Sequence, residues 1–364
     1  METLALHNFH EALGARFTQV NGAEAVASYG NVPREHATLR ATAAIIDLSF
    51  RSRLCLTGAD RARFLHGQVT NEVRALRTGE GSYAALITAK GRMQSDLNIY
   101  SLREELLLDF EPGLTAAVSE RLEKYIIADD VQIVDVAPHY GLLSVQGTRA
   151  AAIMEELGLT AALPVKAFSF VKITEATLGE LYLMNRARVG TSGFDLFVPT
   201  AALGVIAEKL SAAAKSVDTV FCGWEAFEIA RIEAGIPRFG ADMDETNIPL
   251  ETGLENESIS FNKGCYIGQE VISRIRTYSE VAKALRGLRL DNDWKSLPVK
   301  GDKLFQGEKE VGYITSAVFS PTLNSNIALG YVRKEVNQIG NELTIRTGER
   351  EGQARIAELP FKSA

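Results

Sequence analysis

Three cysteines in 364 residues, Cys55, Cys222 and Cys265, are too few and too widely spaced for a disulfide framework or a CxxC zinc site. Histidine is equally sparse: His7 and His10 share a predicted helix, His36, His66 and His139 stand alone, and no metal centre is expected. No apolar run approaches the roughly 18 residues that span a bilayer. The opening stretch Met1–His7 lacks the basic start and apolar core of a secretory signal, so a cytoplasmic protein without a membrane segment is expected. Positive charge is not in excess either. With 39 basic against 46 acidic side chains the net charge is -7, which argues against a general surface for nucleic acid or anionic lipid. GxSxG, GxxxxGK[ST] and dinucleotide-binding patterns are missing, as are heptads that would seek a partner helix; a monomer is expected.

What remains is an ordinary globular composition, 46 % apolar and 23 % charged, in a chain long enough for two or three domains. Residues 1–138 mix helical and strand signals, including a hairpin with arms Tyr83 to Thr88 and Arg92 to Tyr100 turning at Lys90-Gly91. A second mixed region spans 139–280, where a helix over Trp224 to Ala234 is ended by Gly235 and Pro237. From 281 to 364 short strand-like runs alternate with glycine and polar turns, the texture of a small all-β barrel or sandwich. The fold class read from these segments is α+β, two lobes followed by an all-β unit.

Four places carry candidate chemistry. Asn262 to Val271 sets Cys265 between Gly264 and Gly268 and beside Lys263, whose ammonium favours a thiolate; both a presented reactive thiol and a buried turn cysteine fit that spacing. On the strand Arg92 to Tyr100, Asp96 shares a polar face with Gln94, Asn98 and Tyr100, which either meets solvent or lines a cavity. Asp195 follows a glycine- and hydroxyl-rich loop and offers two acceptor oxygens to an amino-pyrimidine edge, or simply ends a turn. Arg231 sits three residues after Glu228, as a surface ion pair or as a fork for a ligand carboxylate. Downstream, Arg274, Arg276, Lys283, Arg286 and Arg289 concentrate positive charge.

The order of Ile46-Asp47-Leu48-Ser49, Leu56 to Leu65, and Gly223-Trp224-Glu225-Ala226-Phe227 through Pro237 resembles the folate-binding superfamily that includes the aminomethyltransferase (T-protein) of glycine cleavage. Within it, Lys263-Gly264-Cys265-Tyr266-Ile267-Gly268-Gln269-Glu270 resembles the signature of the YgfZ branch, whose mitochondrial relatives assist iron–sulphur protein maturation. The resemblance implies a T-protein-like cloverleaf of two α+β lobes and a C-terminal β-barrel around a central folate channel. It implies tetrahydrofolate, or a one-carbon-substituted folate, as cofactor. Asp96 falls where T-proteins have an aspartate pair, with Ser95 replacing one member. Asp195 matches a pterin-edge glutamate, and Arg231 an arginine of the folate site. Lys263 and Tyr266 are implied as further folate contacts, and Cys265 with Asp96 as the catalytic residues.

On this basis the expected function is a tetrahydrofolate-binding protein that supports iron–sulphur cluster assembly or repair through Cys265. Its expected partners are iron–sulphur proteins, assembly factors and tRNA-modifying enzymes. Two alternatives stand beside it: a folate-dependent aminomethyltransferase or other one-carbon transferase, and a non-catalytic tRNA- or protein-binding scaffold using the Arg274 to Arg289 region.

Overall fold

The computed structural model describes residues 3–158, 163–278, 280–294, 296–348 and 350–362. Its first layer is an antiparallel sheet in the spatial order Gly81–Ile87, Met93–Ser101, Leu106–Phe110, Ser52–Thr57, Gln132–Asp135. Alternation on the central strands decides what each face meets. Leu97, Ile99, Leu54, Leu56 and Leu108 point one way, into a core completed by Phe64, Leu65, Val118 and Leu122 from the helices Arg61–Gln68 and Thr115–Glu123. Asp96, Asn98 and Tyr100 take the other face, and Tyr100 packs edge-on against Phe170 and Phe197 of the second layer. The polar face of this strand is therefore covered by protein, not by solvent.

The second layer is a six-stranded sheet ordered Phe170–Glu175, Gly179–Asn185, Gly193–Pro199, Tyr140–Gln146, Ala44–Asp47, Val220–Phe221, antiparallel except for the last pair. The helix Leu203–Ser216 covers one face with Leu203, Ile206 and Leu210. Each such leucine contributes about 1.5–3 kcal/mol by leaving water. The helices Val32–Ala41 and Trp224–Glu233 cover the other face through Leu39, Ala226, Phe227 and Ala230. The latter helix stops where expected, with Gly235 in the left-handed region at φ 70°.

The third layer is a closed six-stranded barrel, from Lys283–Leu290 to Glu351–Ala357, filled by Leu288, Leu304, Ile314, Val332, Ile345 and Ile356. An outer patch of Leu285, Leu329, Tyr331 and Phe361 packs on Ile232 of the helix Trp224–Glu233.

Layers and chain order do not coincide. Ala44–Asp47, within the segment 1–138 read as the first lobe, pairs with Tyr140–Gln146 and belongs to the second sheet. Conversely, Ile259, Tyr266 and Ile272, within 139–280, pack against Ala85, Ile87 and Met93 of the first. Apolar partners far along the chain, invisible to a segment-by-segment reading, decide both placements.

Candidate active site

A cavity of about 670 Å³ lies between the two sheets, floored by Tyr83, Asp96 and Asn98 and roofed by Phe168, Arg186 and Arg188, with Trp224 and Phe227 as a further wall. This volume falls within the usual range for small-molecule sites. Among the described residues its lining comes from the two α+β lobes.

Asp96 is the carboxylate best placed for chemistry. Its Oδ2 accepts the Tyr83 hydroxyl at 2.9 Å, while Oδ1 has no hydrogen-bond partner among the described residues. Burial, and then repulsion by Glu111, pushes its carboxyl above the ordinary aspartate range, with Arg51 offsetting part of this. Burial and the Asp96 charge hold the Tyr83 phenol well above its usual range, so Tyr83 is a neutral donor. Ser95 is completely buried and turned to the opposite face of the strand, as adjacent strand residues must be. A carboxylate at position 95 on this backbone would point away from the cavity, so replacing it by serine removes nothing from the cavity wall.

Behind the floor runs a chain of alternating charges. Arg188 donates through Nε to both oxygens of Asp195, at 3.1 and 2.8 Å, and through Nη2 to Asp109 at 2.8 Å. Arg51 donates to Asp109 at 2.8 Å and to Glu111 at 2.6 Å, and Arg238 reaches Glu111 at 2.6 Å. Arg238 also meets Glu228, which binds Arg231, which pairs with Asp242. Burial alone would raise the Asp109 carboxyl, but Arg51 and Arg188 outweigh it and hold the group far below the carboxylate range.

Four of the six site residues expected from sequence are occupied with other tasks. Asp195 is fully buried outside the cavity lining; Arg188 takes both its oxygens and Ser144 donates to one at 2.7 Å, so it orients Arg188 rather than meeting a pterin. Arg231 touches the cavity, yet its five N–H groups already meet Glu228 twice, Asp242, Ser316 and the Ile236 carbonyl. It locks the helix Trp224–Glu233 to the barrel and has no fork left for a ligand. Lys263 spends its three donors on the carbonyls of His66, Val69 and Asn71, at 2.6 to 2.8 Å, and burial draws its ammonium down to about 8. Tyr266 is a core residue beside Ile87 and Met93.

The fifth, Cys265, is exposed and is not part of the cavity wall. Its flanking glycine serves packing: Gly268 has φ 85°, and a Cβ there would come within 2.5 Å of the Thr88 carbonyl. Cys55 and Cys222 are buried, and that burial raises both thiols far above the usual range. Among the described residues no group of three or more His, Cys, Asp or Glu side chains is arranged to hold a metal, and no helix is long and apolar enough to cross a membrane. The basic run is split: Arg274 and Arg276 are exposed on the helix Gln269–Tyr278, while Lys283, Arg286 and Arg289 lie on the first barrel strand.

Sequence reasoning missed Tyr83, Asn98, Asp109, Arg186 and Arg188. Asn98 shares the polar face of Asp96, a signal that was present; the guanidinium groups of Arg186 and Arg188 reach the first sheet at Asn98 and Asp109, 88 and 79 residues away in sequence, which no local pattern shows.

Residues 6–263 match the GCVT N-terminal domain family and residues 283–362 the glycine cleavage T-protein C-terminal barrel domain. Aminomethyltransferases of Symbiobacterium thermophilum, Halalkalibacterium halodurans and Bacillus subtilis are similar to the chain at 28 %, 26 % and 26 % identity. Each alignment covers 98 % of this chain and 96 to 98 % of the relative. The crystal structure of glycine cleavage system aminomethyltransferase T from Bartonella henselae superposes with a TM-score of 0.88 at 23 % identity, covering 99 % of this chain and 98 % of that one, and so shares its fold. These relatives overturn the expectation of a protein devoted to iron–sulphur clusters and their tRNA-modifying clients: full-length similarity runs to aminomethyltransferases, and the cysteine on which that expectation rested lies outside the cavity. Matched over most of its length by both domains, the chain belongs to the aminomethyltransferase (glycine cleavage T-protein) superfamily.

Proposed function

We propose that this protein is a folate-dependent aminomethyltransferase, a cytoplasmic monomer that takes tetrahydrofolate in the cavity between its two α+β lobes. One observation carries the reading: Asp96, a buried carboxylate whose Oδ1 has no hydrogen-bond partner among the described residues, borders a hollow of about 670 Å³ walled by Tyr83, Phe168, Trp224 and Phe227, surfaces suited to a flat heterocycle. The fit is chemical as well as steric, since a pterin ring carries N–H donors that a carboxylate on the cavity floor can accept. Bound tetrahydrofolate would supply the amine nitrogens that accept the transferred carbon. Asp96 would hold a proton on its carboxyl beside those nitrogens and release it, and its raised proton affinity suits that exchange. Tyr83 would fix the orientation of the carboxyl through Oδ2, and the aromatic walls would exclude water. Asp195, Arg231, Lys263 and Tyr266 take supporting parts only, orienting Arg188, closing the barrel joint and anchoring the loop before the helix Gln269–Tyr278. The likeness of Lys263–Glu270 to the YgfZ branch enters this reading as lineage alone.

The test is to incubate purified protein with tetrahydrofolate and an aminomethylated donor and to follow methylenetetrahydrofolate. Product forming in proportion to enzyme is expected. Tetrahydrofolate that binds but never gains carbon would reduce the protein to a folate binder.

A further inference from the structure

Five guanidinium groups border the cavity, those of Arg51, Arg186, Arg188, Arg231 and Arg238, and four are neutralised by carboxylates. Arg186 is the exception: among the described residues it has no acidic partner. Its Nε donates to the Asn98 Oδ1 at 3.0 Å and its Nη1 to the Ala187 carbonyl at 2.8 Å, both neutral acceptors. The guanidinium lies over the Phe168 ring, 4.7 Å from its centroid. A guanidinium carries five N–H donors, so two are engaged and three stay open on a group already held in place. Asn98 is itself oriented, because its Nδ2 donates to Asp109 Oδ2 at 2.9 Å. The buried charge chain thus aims the one arginine of the cavity lining that has no acidic partner among the described residues.

We propose that Arg186 is the docking point for a carboxylate carried by a bound substrate. The assignment builds on the folate reading of the cavity. It differs from the expectation for Arg231, whose donors are all spent. Asp96 and Asn98 are two apart on one face of one strand, a separation of about 6–7 Å, so a molecule engaging Asp96 can extend past Asn98 toward Arg186. Two carboxylates have this chemistry: the glutamyl tail of a folate, and the carboxylate of a small amino acid that donates or receives the carbon. A planar fork with open donors suits either, and a lysine there would keep the charge without the fork.

The experiment measures dissociation constants of wild type, Arg186→Gln and Arg186→Lys for tetrahydrofolate, for tail-less 6-methyltetrahydropterin and for glycine, with thermal melts to confirm folding. If the folate tail is the source, Arg186→Gln weakens tetrahydrofolate about 10- to 100-fold, the scale of charge-assisted hydrogen bonds, and leaves 6-methyltetrahydropterin unchanged. If the amino acid is the source, the loss of similar size falls on glycine instead. Arg186→Lys recovers part of the loss in either case. Folded Arg186→Gln that binds all three ligands within twofold of wild type overturns the proposal. A wild type that binds neither folate nor pterin would instead overturn the folate reading, and the glycine arm would still decide on Arg186.

Discussion

Replacing Asp109 by alanine is expected to cost about 3–5 kcal/mol of folding stability, the scale of removing one partner from a buried ion pair. Asp109 is wholly buried on the strand Leu106–Phe110 and is the shared anion of Arg51 and Arg188, one from each sheet layer's side of the cavity. Its loss leaves both guanidinium groups short of charge in a desolvated place and removes the shorter of the two bonds that hold the Asn98 amide, leaving the one to the Asp109 carbonyl. Urea unfolding measures the effect; a change below about 1 kcal/mol would mean that the chain of charges is effectively solvated. The sign of the pH response follows from the same group. Because its folded carboxyl titrates below the unfolded value, its contribution is present above pH ~4 and is lost as acid protonates the folded form. Asp109→Ala should therefore lose less relative to wild type in acid than at neutral pH.

Asp96→Asn is expected to reduce the transfer rate about 10²- to 10⁴-fold, the usual range for a proton-transfer group, while leaving the Tyr83 hydrogen bond possible through the amide oxygen. Stability should move the other way. Burial raises the folded carboxyl, so wild-type stability falls as pH rises through that titration, and the neutral amide escapes the penalty. The variant should be at least as stable as wild type at neutral pH, with the difference vanishing below pH ~4. A variant that keeps its rate would remove Asp96 from the chemistry; one that loses both rate and stability would make it a structural residue.

Much of the architecture could be read locally. The hairpin around Gly91, the helix stop at Gly235 and the barrel texture after residue 281 depend on turn chemistry and short-range periodicity, and the structure has all three. The face bearing Asp96 was also legible, since strand alternation is a local rule; what covered that face was not, because Phe168, Arg186 and Trp224 arrive from distant segments. The expected ligand contacts shifted for one physical reason. Asp195, Arg231 and Lys263 are buried polar groups, and each found its partners inside the protein: Arg188, Asp242 and three backbone carbonyls. Spacing reveals that such residues are available, whereas only packing reveals that they are used up. The thiol between the glycines is exposed, as a presented cysteine is, while Gly268 itself is required by the close approach to Thr88.

The central claim, that the hollow between the lobes is a folate site organised around Asp96, is tested most directly by calorimetric titration of the purified protein with tetrahydrofolate. Saturable binding of one molecule per chain is predicted, weakened when Trp224 on the cavity wall is replaced by alanine. Absence of any binding, or binding indifferent to that wall, would contradict it.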